Sequence, residues 1–286
     1  MNQLVMEAKA KINLSLDVLG KRADGYHEVR MIMQSLDLCD TVTVTKSEAD
    51  GITLTSNLNF IPTDERNLAY KAARMMIEEF QIKEGVTIDL VKRIPVAAGM
   101  AGGSTDGAAV LVAMNRLFDL SLTDSQLMER GVRLGADVPY CIMGGTALSE
   151  GIGEVLSPLP PMPECYFVIA KPGVSVSTKY VYEQIDSVGV NEHPDTDGMI
   201  HAIREGSLDG VSSRLCNVLE AVTITVHPEI QEIKTFLKEQ GAKNALMSGS
   251  GPTVFGIFQE KDAAKRAADK LKKTGLAKQI FVARPV

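Results

Sequence analysis

The chain has 286 residues, of which 45% are hydrophobic and 23% charged, and its formal net charge is −6. This composition is ordinary for a globular protein, and the length suffices for one large domain or two lobes. The acidic balance argues against general attraction to nucleic acid or anionic lipid, so an anionic ligand must be held by local groups.

The four cysteines are widely spaced and include no Cys-x-x-Cys pair. This spacing argues against a zinc site or a disulfide framework and favours a reduced, cytoplasmic protein. The sequence has neither an apolar signal core near its start nor an uncharged apolar run of about 18 residues, the length of a membrane span. We therefore expect neither secretion nor membrane insertion.

The first half of the chain shows strand and helix patterns in mixed order. Alternation of apolar and polar residues predicts a strand pair or one long bent strand over 4–18, and strands at 31–38, 41–45, 52–56 and 86–94. Apolar residues at helical spacing predict helices at 65–80, from about 104 to 118, and at 124–134. Thr123 is a suitable cap for the last of these helices.

The second half continues this mixture. Strands are predicted at 146–150, 165–170, 244–247, 253–258 and 279–283. Helices are predicted at 178–185, 195–204, 208–222, 228–240 and 261–272. The proline-rich turn at 158–163 is the best candidate for a boundary between residues 1–157 and 164–286. Because strands and helices do not alternate regularly, an α+β fold is favoured over a doubly wound sheet.

A glycine-rich turn between a predicted strand and a predicted helix, Pro95–Asp106, is the strongest sign of chemistry in the chain. Its glycines would let backbone amides approach an anion, and the helix start adds the positive end of a dipole. Ser104 and Thr105 could cap the helix or contact phosphate or magnesium oxygens. The segment matches neither the P-loop nor the dinucleotide-binding pattern, and the protein-kinase motifs are absent from the sequence. The alternative is an ordinary helix start after a flexible turn.

Charged residues in two segments are candidates for a cleft. Lys9 and Lys11 share one face of the first predicted strand with Asn13, and a lysine there is either solvated or directed into a cleft. Asp137 lies before Pro139, where a helical pattern is interrupted. From the residues alone, Asp137 is either a helix-capping aspartate or a general base.

Three further segments each have two interpretations. Tyr26 and His27 could stack on a pyrimidine and hydrogen-bond its edge, although such a pair is more often a half-buried aromatic beside a surface histidine. The run Gly249–Gly251 is either a bare β-turn or a second glycine loop, which we expect to converge with the first. Asn67 can cap the helix that follows it, and a second interpretation of this residue, given below, comes from a family resemblance.

Three segments together resemble the motifs of the GHMP kinase superfamily, which includes galactokinase, homoserine kinase and mevalonate kinase. They are Ala-Lys-Ala-Lys-Ile-Asn-Leu at 8–14, the glycine-rich segment 95–105, and Met-Ser-Gly-Ser-Gly-Pro-Thr-Val-Phe at 247–255. Within the superfamily, segments 22–27, 134–139 and 171–175 resemble the subfamily that phosphorylates 4-diphosphocytidyl-2-C-methyl-D-erythritol. The resemblance runs in order over essentially the whole chain. The central loop departs from the commoner serine and alanine pattern by having Gly-Gly-Ser-Thr-Asp at 102–106.

The resemblance implies a two-lobed α+β GHMP kinase fold with the active site between the lobes, an ATP-binding domain over 1–157 and a C-terminal domain over 164–286. It implies transfer of the γ-phosphoryl group of ATP, with Mg²⁺, to the 2-hydroxyl of the cytidylated erythritol in non-mevalonate isoprenoid biosynthesis. Lys11 and Asp137 would be catalytic, with Asp137 as the base and Lys11 keeping it ionised. The residues implied for ATP are Asn67, Pro95, Val96, Ala97, Ala98, Gly99, Met100, Ala101, Gly102, Gly103, Ser104 and Thr105. Those implied for the acceptor are Asn13, Tyr26, His27, Tyr182, Gly249, Ser250 and Gly251.

Some assignments stay open at this level. Tyr180 is an alternative to Tyr182 as the second stacking aromatic, and the magnesium ligands are unassigned. The remaining histidines, His193, His201 and His227, show no metal-ligand spacing. The alternative functions are another GHMP kinase, with mevalonate, phosphomevalonate or homoserine as acceptor, and a nucleotide-binding regulator that has lost catalysis. We expect a cytidine diphosphate-linked small molecule as partner, no nucleic acid or membrane partner, and a monomer or homodimer.

Overall fold

The structure is a computed structural model that describes residues 1–190 and 192–286. Its strands are β1 (Gln3–Lys21), β2 (His27–Ser47), β3 (Ile52–Ser56), β4 (Gly85–Val91), β5 (Thr146–Glu150), β6 (Val155–Pro158), β7 (Tyr166–Lys171), β8 (Cys216–Asn217), β9 (Asn244–Met247), β10 (Val254–Phe258) and β11 (Gln279–Ala283). Its helices are α1 (Leu68–Phe80), α2 (Gly102–Leu117), α3 (Asp124–Val132), α4 (Val138–Met143), α5 (Thr178–Val188), α6 (Thr196–Arg204), α7 (Leu208–Ser213), α8 (Glu220–Val226), α9 (Glu229–Glu239) and α10 (Lys261–Thr274). The predicted α+β class is confirmed.

Most predicted elements are present, and four strands have the predicted bounds: β3, β5, β9 and β11. The segment 4–18 belongs to one long strand, and the two strands predicted at 31–38 and 41–45 are continuous in β2. Thr123 caps α3 as predicted, within a capping box completed by Gln126. Among the helices of the described ranges, none combines the length and apolar character needed to cross a membrane.

One helix prediction and one capping prediction are wrong in ways that concern the site. Segment 208–222 is not one helix, because Cys216–Asn217 forms β8 and pairs in parallel with β1 between α7 and α8. Helix α2 begins at Gly102, earlier than expected, with Ala101 as its N-cap. Ser104 and Thr105 therefore lie inside the first turn of α2 and do not cap it.

The chain forms two compact units, each assembled from segments that are distant in sequence. The first unit contains Met1–Ala10, Cys39–Val96 and Ala101–Gly144. The second contains Lys11–Leu38, Ala97–Met100 and Gly145–Val286. The long strands β1 and β2 contribute residues to both units. The division into residues 1–157 and 164–286 stays a prediction.

In the first unit, β4 has β3 as its parallel neighbour and the second half of β2 as its antiparallel neighbour. Helices α1 and α2 pack against each other through small buried side chains, among them Ala69 and Ala72 of α1 and Ala108 and Ala109 of α2. Small side chains let helix axes approach closely. This packing fixes the start of α2, which follows the glycine-rich turn.

In the second unit, the first half of β2 pairs with β5, β5 pairs with β6, and β1 pairs with β8. A separate antiparallel sheet has the strand order β11-β7-β10-β9. Every residue of β10 is buried, as expected for a central strand that helices cover. The turn that contains Gly249–Gly251 therefore joins this buried strand to its neighbour β9 in the sheet.

Candidate active site

The start of α2 presents backbone N–H groups that have no side-chain cap. Its N-cap, Ala101, has a left-handed backbone with φ 57° and no capping atom. The first four N–H groups of a helix lack partners in the preceding turn, and residues 102–104 belong to this first turn of a 16-residue helix. Such an end attracts an anion through its N–H groups and its dipole.

The glycine-rich turn meets the C-terminal glycine turn in the second unit. The Ser248 hydroxyl donates to the Gly99 carbonyl oxygen at 2.9 Å and accepts the Asn13 N–H at 3.3 Å. Gly99 has φ 71°, and a Cβ at this position would lie 2.2 Å from the Ser248 carbonyl oxygen. Only glycine fits there. The expected convergence of the two glycine segments is confirmed for Gly99 and Ser248.

Lys11 and Asn13 lie on β1 next to this junction. Lys11 is 5% exposed and Asn13 is fully buried, whereas Lys9 is exposed. The Lys11 Nζ donates to Asn13 Oδ1 at 2.8 Å, and the Lys11 N–H donates to the Met100 carbonyl oxygen at 3.2 Å. Because burying an ammonium group is costly, a buried lysine with polar neighbours is typical of a site that needs its positive charge.

Side chains from other elements support the turn Ser248–Gly251. The Asn217 amide donates to the carbonyl oxygens on both sides of Ser248, each at 2.8 Å. The hydroxyls of Thr178 and Ser250 lie 2.9 Å apart. Sequence reasoning missed Asn217 because it assigned this residue to a helix, and missed Thr178, although that residue closely follows the family segment at 171–175.

His27 and Tyr182 come together where β2 and α5 approach each other. Their ring centroids are 5.1 Å apart, with an interplanar angle of 39°. His27 is buried, at 8% exposure, while Tyr26 is 59% exposed and Tyr180 is 43% exposed. Of the two candidate aromatics in α5, Tyr182 is therefore the neighbour of His27.

Asp186 connects His27 with Lys21. Its Oδ1 lies 2.7 Å from His27 Nε2, and its Oδ2 accepts a hydrogen bond from Lys21 Nζ at 2.7 Å. The hydrogen bonds from these two partners, of which that from Lys21 has the larger effect, hold the pKa of Asp186 below its ordinary value. Sequence reasoning missed Asp186, but its position four residues after Tyr182 places both on one face of α5.

A cluster of buried charges supports the start of α2 in the first unit. Lys92 donates hydrogen bonds to Asp40, to Asp106 and, at 3.2 Å, to the Gly102 carbonyl oxygen. All three charged side chains are at most 4% exposed. Burial raises the pKa of Asp106 to about 7, and the nearby Asp40 adds to this effect while Lys92 opposes it.

Asp137 and Asn67 lie in the first unit and differ in what their side chains do. Asp137 is the half-buried N-cap residue of α4, yet its carboxylate makes no capping bond. Helix capping therefore does not account for this aspartate. Asn67 does cap α1, since its Oδ1 accepts the Ala69 N–H at 2.9 Å, and its Nδ2 donates to the Pro62 carbonyl oxygen at 2.8 Å. A role of Asn67 at an adenine stays a prediction.

The predicted site residues are divided between the two units. The first unit holds Asn67, Asp137 and residues 95–96 and 101–105. The second holds Lys11, Asn13, Tyr26, His27, Tyr182 and residues 97–100 and 249–251. Within the second unit, the structure gathers Lys11 and Asn13 at the glycine junction and pairs His27 with Tyr182. The functional roles of all these residues stay predictions.

Known proteins resemble the chain over nearly its full length. The family model for the GHMP kinases N terminal domain matches residues 67–145, and the model for GHMP kinases C terminal matches residues 199–277. A 4-diphosphocytidyl-2-C-methyl-D-erythritol kinase of Lachnoclostridium phytofermentans is 54% identical over 284 residues, which are 99% of this chain and 98% of the relative.

Two solved structures extend this comparison. The crystal structure of a 4-(cytidine 5'-diphospho)-2C-methyl-D-erythritol kinase has a TM-score of 0.85 and 32% identity, and the match covers 99% of both chains. Homoserine kinase from Cytophaga hutchinsonii has a TM-score of 0.76 at 20% identity, over 99% of this chain and 94% of the other, a likeness of fold alone. The fold and its glycine segments define the class as small-molecule kinases. The chain belongs to the GHMP kinase family.

Proposed function

We propose that this protein transfers the γ-phosphoryl group of ATP to the 2-hydroxyl of 4-diphosphocytidyl-2-C-methyl-D-erythritol, a step in non-mevalonate isoprenoid biosynthesis. The relative from Lachnoclostridium phytofermentans and a solved structure bear this kinase name at 54% and 32% identity over almost the whole chain. They support the predicted activity over another GHMP acceptor or a regulator without catalysis. The structural observation that carries the proposal is the gathering of Lys11 and Asn13 with both glycine segments.

We assign the triphosphate of ATP to segment 95–105. Three features of the chain support this assignment: the uncapped N–H groups at the start of α2, the positive φ of Gly99, and the absence of a Cβ at Gly102 and Gly103. Backbone amides of this kind hold phosphate oxygens without needing a basic surface. This fits a chain whose net charge is −6.

Phosphoryl transfer depends mainly on positioning and on stabilisation of charge. Lys11 contributes a buried ammonium group, and Asn13 Oδ1, which accepts a hydrogen bond from it, orients that group. In this proposal Asp137 accepts the proton of the acceptor hydroxyl, a role worth about 10²–10⁴-fold in rate. The half-burial of Asp137 and its position at the start of α4 support this role. The reaction needs no covalent intermediate with the protein.

The cytosine of the acceptor is assigned to the neighbourhood of His27. Tyr182 supports this assignment, because its ring lies 5.1 Å from the imidazole. Tyr26 presents an exposed ring on which a base could stack. Mevalonate, phosphomevalonate and homoserine have no base that would use these rings.

Magnesium belongs to the proposal as a companion of the nucleotide. In residues 1–190 and 192–286, no group of three or more His, Cys, Asp or Glu side chains is arranged to hold a metal ion. Mg²⁺ commonly binds through substrate phosphates with one or two protein ligands, so the residues present fit an ion that arrives with ATP. When bound, it would neutralise charge on the triphosphate. Ser104 and Thr105, in the first turn of α2, are the candidate contacts.

Among the described residues, the four cysteines form no disulfide bond. A cytoplasmic location, the absence of a nucleic acid partner and a monomeric or homodimeric state stay predictions.

A panel of acceptors tests the proposed activity. Purified protein with Mg²⁺ and ATP is assayed for ADP release with the cytidylated erythritol, mevalonate, phosphomevalonate and homoserine. We expect turnover with the cytidylated erythritol. Turnover confined to one of the other alcohols would refute the acceptor, and no turnover with any of them would favour the regulator.

Asp137→Asn tests the proposed base. We expect kcat to fall about 10²–10⁴-fold while ATP affinity, measured by titration, stays nearly unchanged. Asp124→Asn is the matched control, since Asp124 is an exposed aspartate in the first turn of α3 in the same unit. Equal turnover in Asp137→Asn and the wild type would remove Asp137 from this role.

A further inference from the structure

Three side chains from different elements are joined by hydrogen bonds near the start of β2. Lys21 ends β1, His27 begins β2, and Asp186 lies in α5. Both hydrogen bonds of the Asp186 carboxylate measure 2.7 Å. The side chain of His27 is 7% exposed, that of Asp186 is 29% exposed and that of Lys21 is 54% exposed. The carboxylate thus joins a buried imidazole to an ammonium group that faces solvent.

This arrangement determines which nitrogen of His27 carries a proton. Lys21 and His27 lower the pKa of Asp186, so its carboxylate is ionised at neutral pH. An ionised carboxylate only accepts hydrogen bonds, and therefore His27 Nε2 must be the donor. In the neutral imidazole, Nδ1 is then an acceptor.

Helix α5 places Asp186 in line with two other residues that have contacts at the candidate site. Thr178, Tyr182 and Asp186 are four residues apart and lie on one helix face. Thr178 contacts Ser250 in the glycine turn, and Tyr182 lies beside His27. The ends of this face are about 12 Å apart along the helix axis. One face of α5 therefore extends from the glycine turn to His27.

We propose that Asp186 is a positioning residue that sets the base specificity of the acceptor site. It holds the His27 ring with Nε2 protonated, so that Nδ1 accepts a hydrogen bond from the exocyclic amino group of cytosine. Uracil has a carbonyl oxygen at that position, and two acceptors that face each other leave a buried polar atom unpaired. The inference rests on the proposed function, which supplies an acceptor that contains a pyrimidine.

Asp186→Asn tests this role because it keeps the size of the side chain and removes its charge. We expect kcat/KM for the cytidylated acceptor to fall about 10- to 100-fold, mainly through KM, with the KM for ATP unchanged. The preference for the cytidylated acceptor over its uridylated analogue should shrink by a similar factor. Asp186→Glu, which retains the carboxylate, should recover part of both losses.

Two further variants separate this role from general effects. Glu205→Gln removes an exposed carboxylate of the same unit, away from these three side chains in the chain, and should leave both acceptor parameters unchanged. Lys21→Met keeps the hydrogen bond between Asp186 and His27. Its kcat/KM for the cytidylated acceptor should therefore fall less than that of Asp186→Asn. Thermal unfolding and titration with ATP show whether each variant is folded.

The tautomer of His27 is measured without any acceptor. In protein labelled with ¹⁵N-histidine, the imidazole nitrogen shifts report which nitrogen is protonated, and His27→Gln identifies the signals of His27. We expect protonated Nε2 and unprotonated Nδ1 in neutral His27 of the wild type, and a shift towards protonated Nδ1 in Asp186→Asn.

Protonated Nδ1 in neutral wild-type His27, or an unchanged base preference in Asp186→Asn, would overturn the role of Asp186. An inactive wild type would instead refute the proposed function and the base assignment that depends on it, while the tautomer measurement would still decide whether Asp186 controls His27.

Discussion

Two clusters of charged side chains in this molecule are similar in composition and different in setting. In the first unit, Lys92 lies between Asp40 and Asp106, and all three are buried. In the second unit, Asp186 lies between a lysine and His27 and is partly exposed. Burial raises the pKa of Asp106 to about 7, whereas the hydrogen-bond donors around Asp186 lower its pKa.

The difference shows that a buried cluster of charges affects mainly stability, whereas a partly exposed cluster can serve recognition. Desolvation makes a buried ion costly, so Lys92 and its two carboxylates must stay together once the first unit has folded. Their bonds hold the start of α2 through Gly102. Partly exposed pairs contribute only about 0–1 kcal/mol to stability. The cluster around Asp186 can therefore serve binding at little cost to the fold.

Lys92→Met has the largest effect that we expect on stability. It leaves two buried carboxylates without their cation, and breaking a buried pair in this way costs about 3–5 kcal/mol. The free energy of unfolding is measured with urea. Lys71→Met, at an exposed position of α1 in the same unit, is the control and should change this energy by less than about 0.5 kcal/mol. Equal losses in the two variants would contradict the stabilising role of the buried cluster.

His27→Ala examines the cluster of the second unit. We expect the KM for the cytidylated acceptor to rise about 10- to 100-fold, with little change in the KM for ATP. Its effect on unfolding should be smaller than that of Lys92→Met. His201→Ala, an exposed histidine of the same unit, is the control. An increase confined to the KM for ATP would assign His27 to the binding of adenine and not to the acceptor.

Asp106→Asn gives a smaller effect that depends on pH. The raised pKa means that folded Asp106 binds a proton between about pH 4 and 7, where the unfolded chain has already released it. The free energy of unfolding of the wild type should therefore fall relative to that of the variant as pH rises through this window.

Urea unfolding at pH 5 and pH 8 measures this difference. Asp50→Asn, at an exposed position in the same unit, should show no such trend relative to the wild type. The free energies of unfolding of Asp106→Asn and the wild type should therefore differ by different amounts at the two pH values. If the difference is the same at both, burial does not hold a proton on Asp106.

The sequence was most informative where backbone geometry restricts the choice of residue. The glycine-rich segment stands out in the sequence because it lies between a predicted strand and a predicted helix. Gly99 within it occupies a position where a Cβ would overlap the Ser248 carbonyl oxygen. Strands such as β5 and β9 were predicted with their observed bounds because their apolar patterns are local. Lys11 was chosen over Lys9 through the family resemblance, and the structure finds Lys11 buried and Lys9 exposed.

The sequence was least informative where a property depends on distant partners. Asp186 looks like an ordinary surface carboxylate until the fold brings it to His27, 159 residues away in the chain. Asp106 was visible in the glycine-rich segment, but its burial depends on contact with Lys92 and Asp40. The helix predicted at 208–222 was wrong because pairing with β1 outweighs helical spacing at Asn217.

Helix α5 sets the distances between Thr178, Tyr182 and Asp186. A substitution at one of these positions removes the contact of that residue and leaves the contacts of the other two in place. Insertion of one residue after Thr178 would instead rotate Tyr182 and Asp186 by about 100° around the helix axis and move them by about 1.5 Å along it. This segment should therefore accept changes of residue type at its exposed intervening positions, but not at the buried Val181 and Ile185 and not changes of length.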